Sequence, residues 1–193
     1  PKGIVIDFND KPTDGTLMAI TNDNRLVISQ AKFKMSNGTI FSPSENLRDA
    51  LIKLKRGETL TFNEEYSIES LFNESVHSKS KNKVEIKKGT QHEAIMEACV
   101  QLYARDRYTK IMKTYGVNPI NFAKIQTDGY GYQRQVSMIR ELFTKEGNLQ
   151  VGELINIANE TEDGVRIINM KLKKKGYSKI DILDFWDLFK MPK

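Results

Sequence analysis

Six basic side chains and no acidic one fall between Gly164 and Ile180, in the run GVRIINMKLKKKGYSKI. This is the sharpest charge segregation in the chain. Arg166, Asn169 and Met170 stand, at helical spacing, on the side opposite Val165 and Leu172, while Lys171, Lys173, Lys174, Lys175 and Lys179 supply compact positive charge. Side chains of these types suit an anionic partner, phosphate first. A plainer reading of the same residues is a bundle helix with a solvated lysine end, since cations at a helix C-terminus are favourable on their own account.

A second group with chemical potential is Glu85-Ile86-Lys87, at the end of a β-rich run. It resembles the Glu-x-Lys half-motif of restriction-endonuclease-like nucleases, and a helix carrying Gln101 and Tyr103 follows. That resemblance implies a carboxylate that helps hold Mg²⁺ and a lysine that steers the attacking water. A second carboxylate would have to come from Glu64, Glu65, Glu69 or Glu74, none of which sits at an evident strand end. Other chemistries have less behind them. The sequence has neither a GxxxxGK[ST] loop nor a GxGxxG. Cys99 is the one cysteine, and His77 and His92 are the two histidines. An intrachain disulfide and a cysteine cage are thereby excluded, and a histidine-rich metal site is disfavoured. No catalytic residue, metal or cofactor is expected.

The totals agree with a globular binding protein. The 193 residues are 39% hydrophobic and 28% charged, with a formal net charge of +5. A chain of this length buries a real core. No apolar run approaches the roughly 18 residues that span a bilayer, and PKGIVIDFND shows no leader pattern. A cytoplasmic location, or a virion if the source is viral, is the expectation. The Lys, Asn and Ile usage suggests an AT-rich genome such as that of a phage or mobile element.

Elements that would position these groups follow from periodicity. Residues 4–8, 16–21 and 25–29 read as strands, and Asn37-Gly38 as a two-residue hairpin turn. Ser42-Pro43-Ser44-Glu45 opens a helix with a capping box, with Leu47, Ala50, Leu51 and Leu54 as its apolar stripe and Gly57 as its stop. Residues 1–57 therefore form a β-rich unit, a small meander with one helix. Residues 58–88 form an irregular connection. Residues 89–193 form a helical domain, opened by a second capping box at Thr90 and Glu93. The fold class is α+β. Gly129-Tyr130-Gly131-Tyr132 is a turn whose tyrosines pack in the core or, with Arg134, stack on bases.

Helices are expected at 132–146, 150–158 and 162–175. Val136, Ile139 and Phe143 face inward on the first, Val151, Leu154, Ile155 and Ala158 on the second, and Val165, Ile168 and Leu172 on the third. The segments RELFTKEGNLQVGELINIA and DGVRIINMKLKKKGY, joined by a tight polar turn at 159–162, resemble the helix-turn-helix of winged-helix DNA-binding domains. This likeness covers residues 132–177. It implies that the third helix enters the major groove. Arg166, Asn169 and Met170 would then meet base edges, Arg with guanine and Asn with adenine. Lys171, Lys173, Lys174, Lys175 and Lys179 would neutralise phosphates. Two departures stand against it. Glu162 and Asp163 would face phosphate at the start of the third helix. And SKIDILDFWDLFK reads as a further helix, capped by Ser178, where a β-hairpin wing would follow.

The expected function is non-catalytic binding of nucleic acid, duplex DNA first, by a regulator or a replication accessory factor. The alternative is a structural or assembly subunit that uses Phe185, Trp186 and Phe189 to hold a partner protein. Nuclease activity around Glu85 is a minor third. The target sequence, the choice between DNA and RNA, and the oligomeric state are left open by these residues.

Overall fold

A computed structural model of the chain describes residues 6–9, 16–21, 23–35, 37–79, 90–159 and 161–189. The contacts gather these into two compact units. One comprises 1–79 with 104–130, the other 80–103 with 131–193. The long helix α3 (Gln91–Thr114) contributes its first half to the second unit and its second half to the first.

The first unit carries the strands. β1 (Ile6–Asn9), β2 (Met18–Ile20) and β3 (Leu26–Ser29) form a three-stranded sheet in the order β1-β3-β2. β3 lies in the middle, antiparallel to β2 and parallel to β1. The arrangement is thus not a simple meander, because β1 reaches β3 without pairing to its neighbour in sequence. A hairpin follows, β4 (Phe33–Lys34) with β5 (Ile40–Phe41). Its turn is longer than two residues. The Met35 N–H donates to the Thr39 carbonyl, and Gly38 has a positive φ while Asn37 does not. Asn37 instead accepts from the Thr39 N–H at 3.0 Å, an alternative that the short Asx side chain offers in turns.

Helix α1 (Pro43–Arg56) begins where the sequence places it, with Pro43 in its first turn. The capping differs from the expected box. The Ser42 N–H is taken by the Asn46 side chain at 2.9 Å, and Glu45 lies 3.5 Å from Lys32. Residues 62–79, expected to be irregular, form α2 (Phe62–Lys79). Its polar residues hide it from a periodicity search. Glu64, Glu65, Ser67, Glu69 and Asn73 are all buried alongside Tyr66 and Ile68. Each buried acid has a defined use in the fold. Glu64 takes the Lys53 ammonium and the Thr61 N–H. Glu65 accepts from Ile120 N–H, Asn121 N–H and Asn121 Nδ2 and so clamps the entry to α4 (Phe122–Asp128). Glu69 faces the fully buried Arg105 guanidinium at 4.0 Å. The half-buried Glu74 also has a partner, accepting from Ile20 N–H at 2.9 Å. Tyr130 belongs to the core here, its ring against Phe41, Phe62 and Tyr66 and its hydroxyl on Asn63.

The second unit is built on the first half of α3 together with α5 (Gln133–Phe143), α6 (Val151–Asn159), α7 (Thr161–Lys174) and α8 (Lys179–Asp187). Thr90 caps α3 by accepting from Glu93 N–H at 3.3 Å. The buried residues include Ile95, Ala98, Cys99 and Leu102 on α3, and Val136, Ile139, Leu142 and Phe143 on α5. Leu154 and Ile157 on α6, and Ile168 and Leu172 on α7, are buried as well. A two-stranded hairpin, β6 (Thr144–Lys145) with β7 (Asn148–Leu149), joins α5 to α6. Glu146 and Gly147 make its turn, both at positive φ (51° and 79°). That is the backbone of a type I′ turn, whose twist matches paired strands. Among the described residues no helix is long and apolar enough to cross a membrane.

Candidate nucleic-acid interface

α6 and α7 are separated by residue 160 alone. Such a short connection makes the two helices pack closely, and the sequence permits it at Gly164. A Cβ built on Gly164 would lie 3.0 Å from Ile157 Cγ2 and 4.0 Å from Ile95 Cγ2. The sequence pattern credits the close approach to Ala158, whose side chain lies outside the described residues, as do those of Glu162 and Asp163. It also gives the buried face of α6 to Val151 and Ile155. These two are half-buried, and Ile157 fills the contact instead.

With Gly164, Ile168 and Leu172 buried, the opposite stripe of α7 is turned outward. Arg166, Met170, Lys173 and Lys174 are exposed, and Val165 and Asn169 are half-buried. Val165, Arg166, Asn169, Met170 and Lys173 form one wall of an open cleft of about 560 Å³, and Gln91 and His92 at the start of α3 form the other. Arg166 Nη1 lies 3.8 Å from Met170 Sδ, one turn along the helix. The cleft therefore presents a guanidinium, an ammonium, a thioether and two carboxamides, with the imidazole of His92 opposite. Gln91 and His92 were not legible as part of a site. They lie more than 70 positions from Arg166 in the chain, and only the capping pattern at Thr90 marks where their helix begins.

The remaining residues of the basic run are employed differently. Asn169 Oδ1 accepts from the Trp186 indole N–H at 2.8 Å. Indole nitrogen only donates, so this bond fixes the carboxamide with its oxygen inward and leaves Nδ2 to act as donor. A two-point pairing with adenine needs both atoms and is not on offer in this arrangement. Lys171 lies over the Phe143 ring, 4.4 Å from its centroid, and pairs with Glu153. Its ammonium is neutralised within the fold rather than held ready for phosphate. Lys175 donates to the Glu141 carbonyl. Lys179 is exposed in the first turn of α8. Of the five lysines, Lys173, Lys174 and Lys179 keep exposed side chains for which the structure shows no such contact.

After α7 the chain turns through Gly176 and Tyr177 into α8. Ser178 caps that helix, accepting from Asp181 N–H at 3.2 Å while Asp181 accepts from Ser178 N–H. The Ser178 hydrogen bonds hold the Asp181 carboxyl below its usual range. No strand pair follows α7 among the described residues, and α8 occupies that place. Phe185, Trp186 and Phe189 do not form the exposed aromatic patch that a partner protein would grip. They are 3%, 8% and 0% exposed, and their ring centroids lie 4.9 to 5.7 Å apart. The residues flanking α8 are tied to α5 as well, Leu188 by its carbonyl accepting from Gln135 Nε2 and Tyr177 by its Oη donating to Glu141.

The nuclease half-motif Glu85-Ile86-Lys87 lies outside the described residues. Its candidate second acids all belong to the first unit and are engaged there as described above. Gln101 is buried on α3.

Comparison of the chain with protein-family models, curated proteins and solved structures finds no match.

Proposed function

We propose that the second unit binds nucleic acid, duplex DNA first, through the outer stripe of α7, as part of a regulator or replication accessory factor. One observation carries this reading. α7 meets α6 at Gly164 and buries Ile168 and Leu172, and its other side presents Arg166, Met170 and Lys173 at successive turns with Lys174 beside them. A helix so held projects one face as a rigid body, which is what insertion into a major groove requires. The α5-α6-α7 order supports the helix-turn-helix part of the likeness, while α8 stands where a wing would be.

In this reading Arg166 is the base-reading residue, since the guanidinium offers the fork that guanine O6 and N7 accept. Asn169 contributes one donor from Nδ2. Lys173 and Lys174 contact phosphate. Lys171 and Lys175 hold α7 to its neighbours. The test is Arg166→Ala against duplexes selected from a random pool. A base contact predicts a loss of about 1–3 kcal/mol on the selected sequence and little on unrelated ones. An equal, small loss on every duplex would remove Arg166 from base contact.

A further inference from the structure

The outer face of α8 has no role in the cleft. Ile180 is 71% exposed and Leu183 58% exposed, adjacent on one side of a helix that is firmly anchored on the other. The anchors are the capping box at Ser178, the Trp186–Asn169 bond, the Gln135–Leu188 bond and the buried Phe185 and Phe189. The apolar pair is thus held in solvent by a fixed support. Lys179 and Asp184 are exposed beside it, and positions 179, 180, 183 and 184 share one side of a helix by the three- and four-residue spacing.

We propose that this face pairs with the same face of a second copy of the chain, helix against helix and antiparallel. A two-fold axis midway between positions 180 and 183 sets Ile180 of each copy opposite Leu183 of the other. The same register sets Lys179 opposite Asp184 on both sides of the axis. The charges choose this direction. A parallel pairing would bring Lys179 onto Lys179 and Asp184 onto Asp184, and facing like charges are costly at an interface. A contact of this kind is isologous, closed by its own symmetry. It is smaller than a standard interface, so association is expected between about 1 µM and 1 mM rather than at nanomolar levels.

The test is sedimentation of the whole chain without nucleic acid, over a concentration series, so that its outcome is independent of the DNA-binding reading. The native chain is expected to form dimers. Lys179→Asp and Asp184→Lys should each weaken association about tenfold or more, since either one places two like-charged pairs across the axis. The double variant carrying both changes should restore it. Both changes agree with the helix dipole, an acid in the first turn and a base toward the end, so each variant keeps its fold, as far-UV circular dichroism will report. Leu183→Glu should leave only monomer. A native chain that stays monomeric throughout the series, or a dimer indifferent to Leu183→Glu and to both charge reversals, overturns the proposal. So would a native monomer that binds a basic amphipathic peptide through Leu183, since the face would then belong to a different partner.

Discussion

The indole N–H of Trp186 donates to Asn169 Oδ1 at 2.8 Å, from a side chain that is 8% exposed. This bond ties α8 to the outward stripe of α7. It also decides which atom of Asn169 faces the cleft. Replacing Trp186 with Phe keeps most of the apolar contact and removes the donor. The expected cost is about 1–3 kcal/mol, because a partly buried carbonyl loses its partner, and urea unfolding measures it. The same variant frees the carboxamide to rotate, so a change in base preference at one position of a bound duplex should accompany the loss of stability.

Gly164 sets the spacing of α6 and α7. A branched side chain there has no room, since the first added carbon already meets Ile157 at 3.0 Å. Gly164→Val is expected to lower stability by about 1–3 kcal/mol through overpacking. The helix propensity gained on leaving glycine, about 0.5–1 kcal/mol when the newcomer is alanine, is smaller than this. Thermal unfolding followed by circular dichroism gives the sign. A stabilised Gly164→Val protein would mean that α6 and α7 are not in close contact.

Glu64 links pH to stability in the first unit. Burial raises its pKa, but the Lys53 ammonium and the Thr61 hydrogen bonds outweigh burial and hold the carboxyl below its ordinary value of 4.5. A depressed folded-state pKa means that the charged form favours folding. The contribution is present above the unfolded value and is lost as pH falls through the folded one. Glu64→Gln should therefore be less stable than the native chain at neutral pH. The gap should narrow as pH falls below 4.5 and close only below the depressed folded-state value, where the native carboxyl is neutral as well. Unfolding midpoints measured across that range check it, and a gap independent of pH would contradict the ion-pair account.

Much of this architecture was legible in the sequence where the pattern is local. Helices α5, α6 and α7, the helix after Ser178 and the hairpin after Phe33 follow from periodicity, caps and turn residues, although α5 stops at Phe143 where the pattern runs on to 146. Legibility failed where the determinants are distant or unusual. α2 buries five polar residues, so its pattern reads as irregular. Glu65 is understandable only with Asn121, which lies 56 positions away. The β6–β7 hairpin turns on Glu146, a residue type seldom found at positive φ. In the candidate site, the charge segregation after Gly164 is plain in sequence. The internal uses of Lys171, Lys175 and Asn169 are not, because Glu153, Phe143, Glu141 and Trp186 come from other elements.

Cys99 reports on the integrity of the second unit. It is fully buried on α3, and burial pushes its thiol up to about 12. Only the thiolate reacts readily. Alkylation of the native chain at pH 8 should be slow and should become fast in denaturant. A rapid native reaction would mean that the first half of α3 opens easily, contrary to its place in the core.

Lys173 and Lys174 on the outer side of α7 are proposed to meet phosphate. The most direct measurement is the affinity for duplex DNA as a function of salt, for the native chain and for a variant with Lys173→Glu and Lys174→Glu. Both side chains are exposed, so folding should change by no more than about 0.5 kcal/mol. Each phosphate contact contributes about 0.9 to the slope of log K against log salt. The double reversal should weaken binding on all sequences alike and reduce the magnitude of that slope by about 1.8, the sum of two such contacts. A folded variant that binds duplex DNA with unchanged affinity and unchanged slope would contradict it.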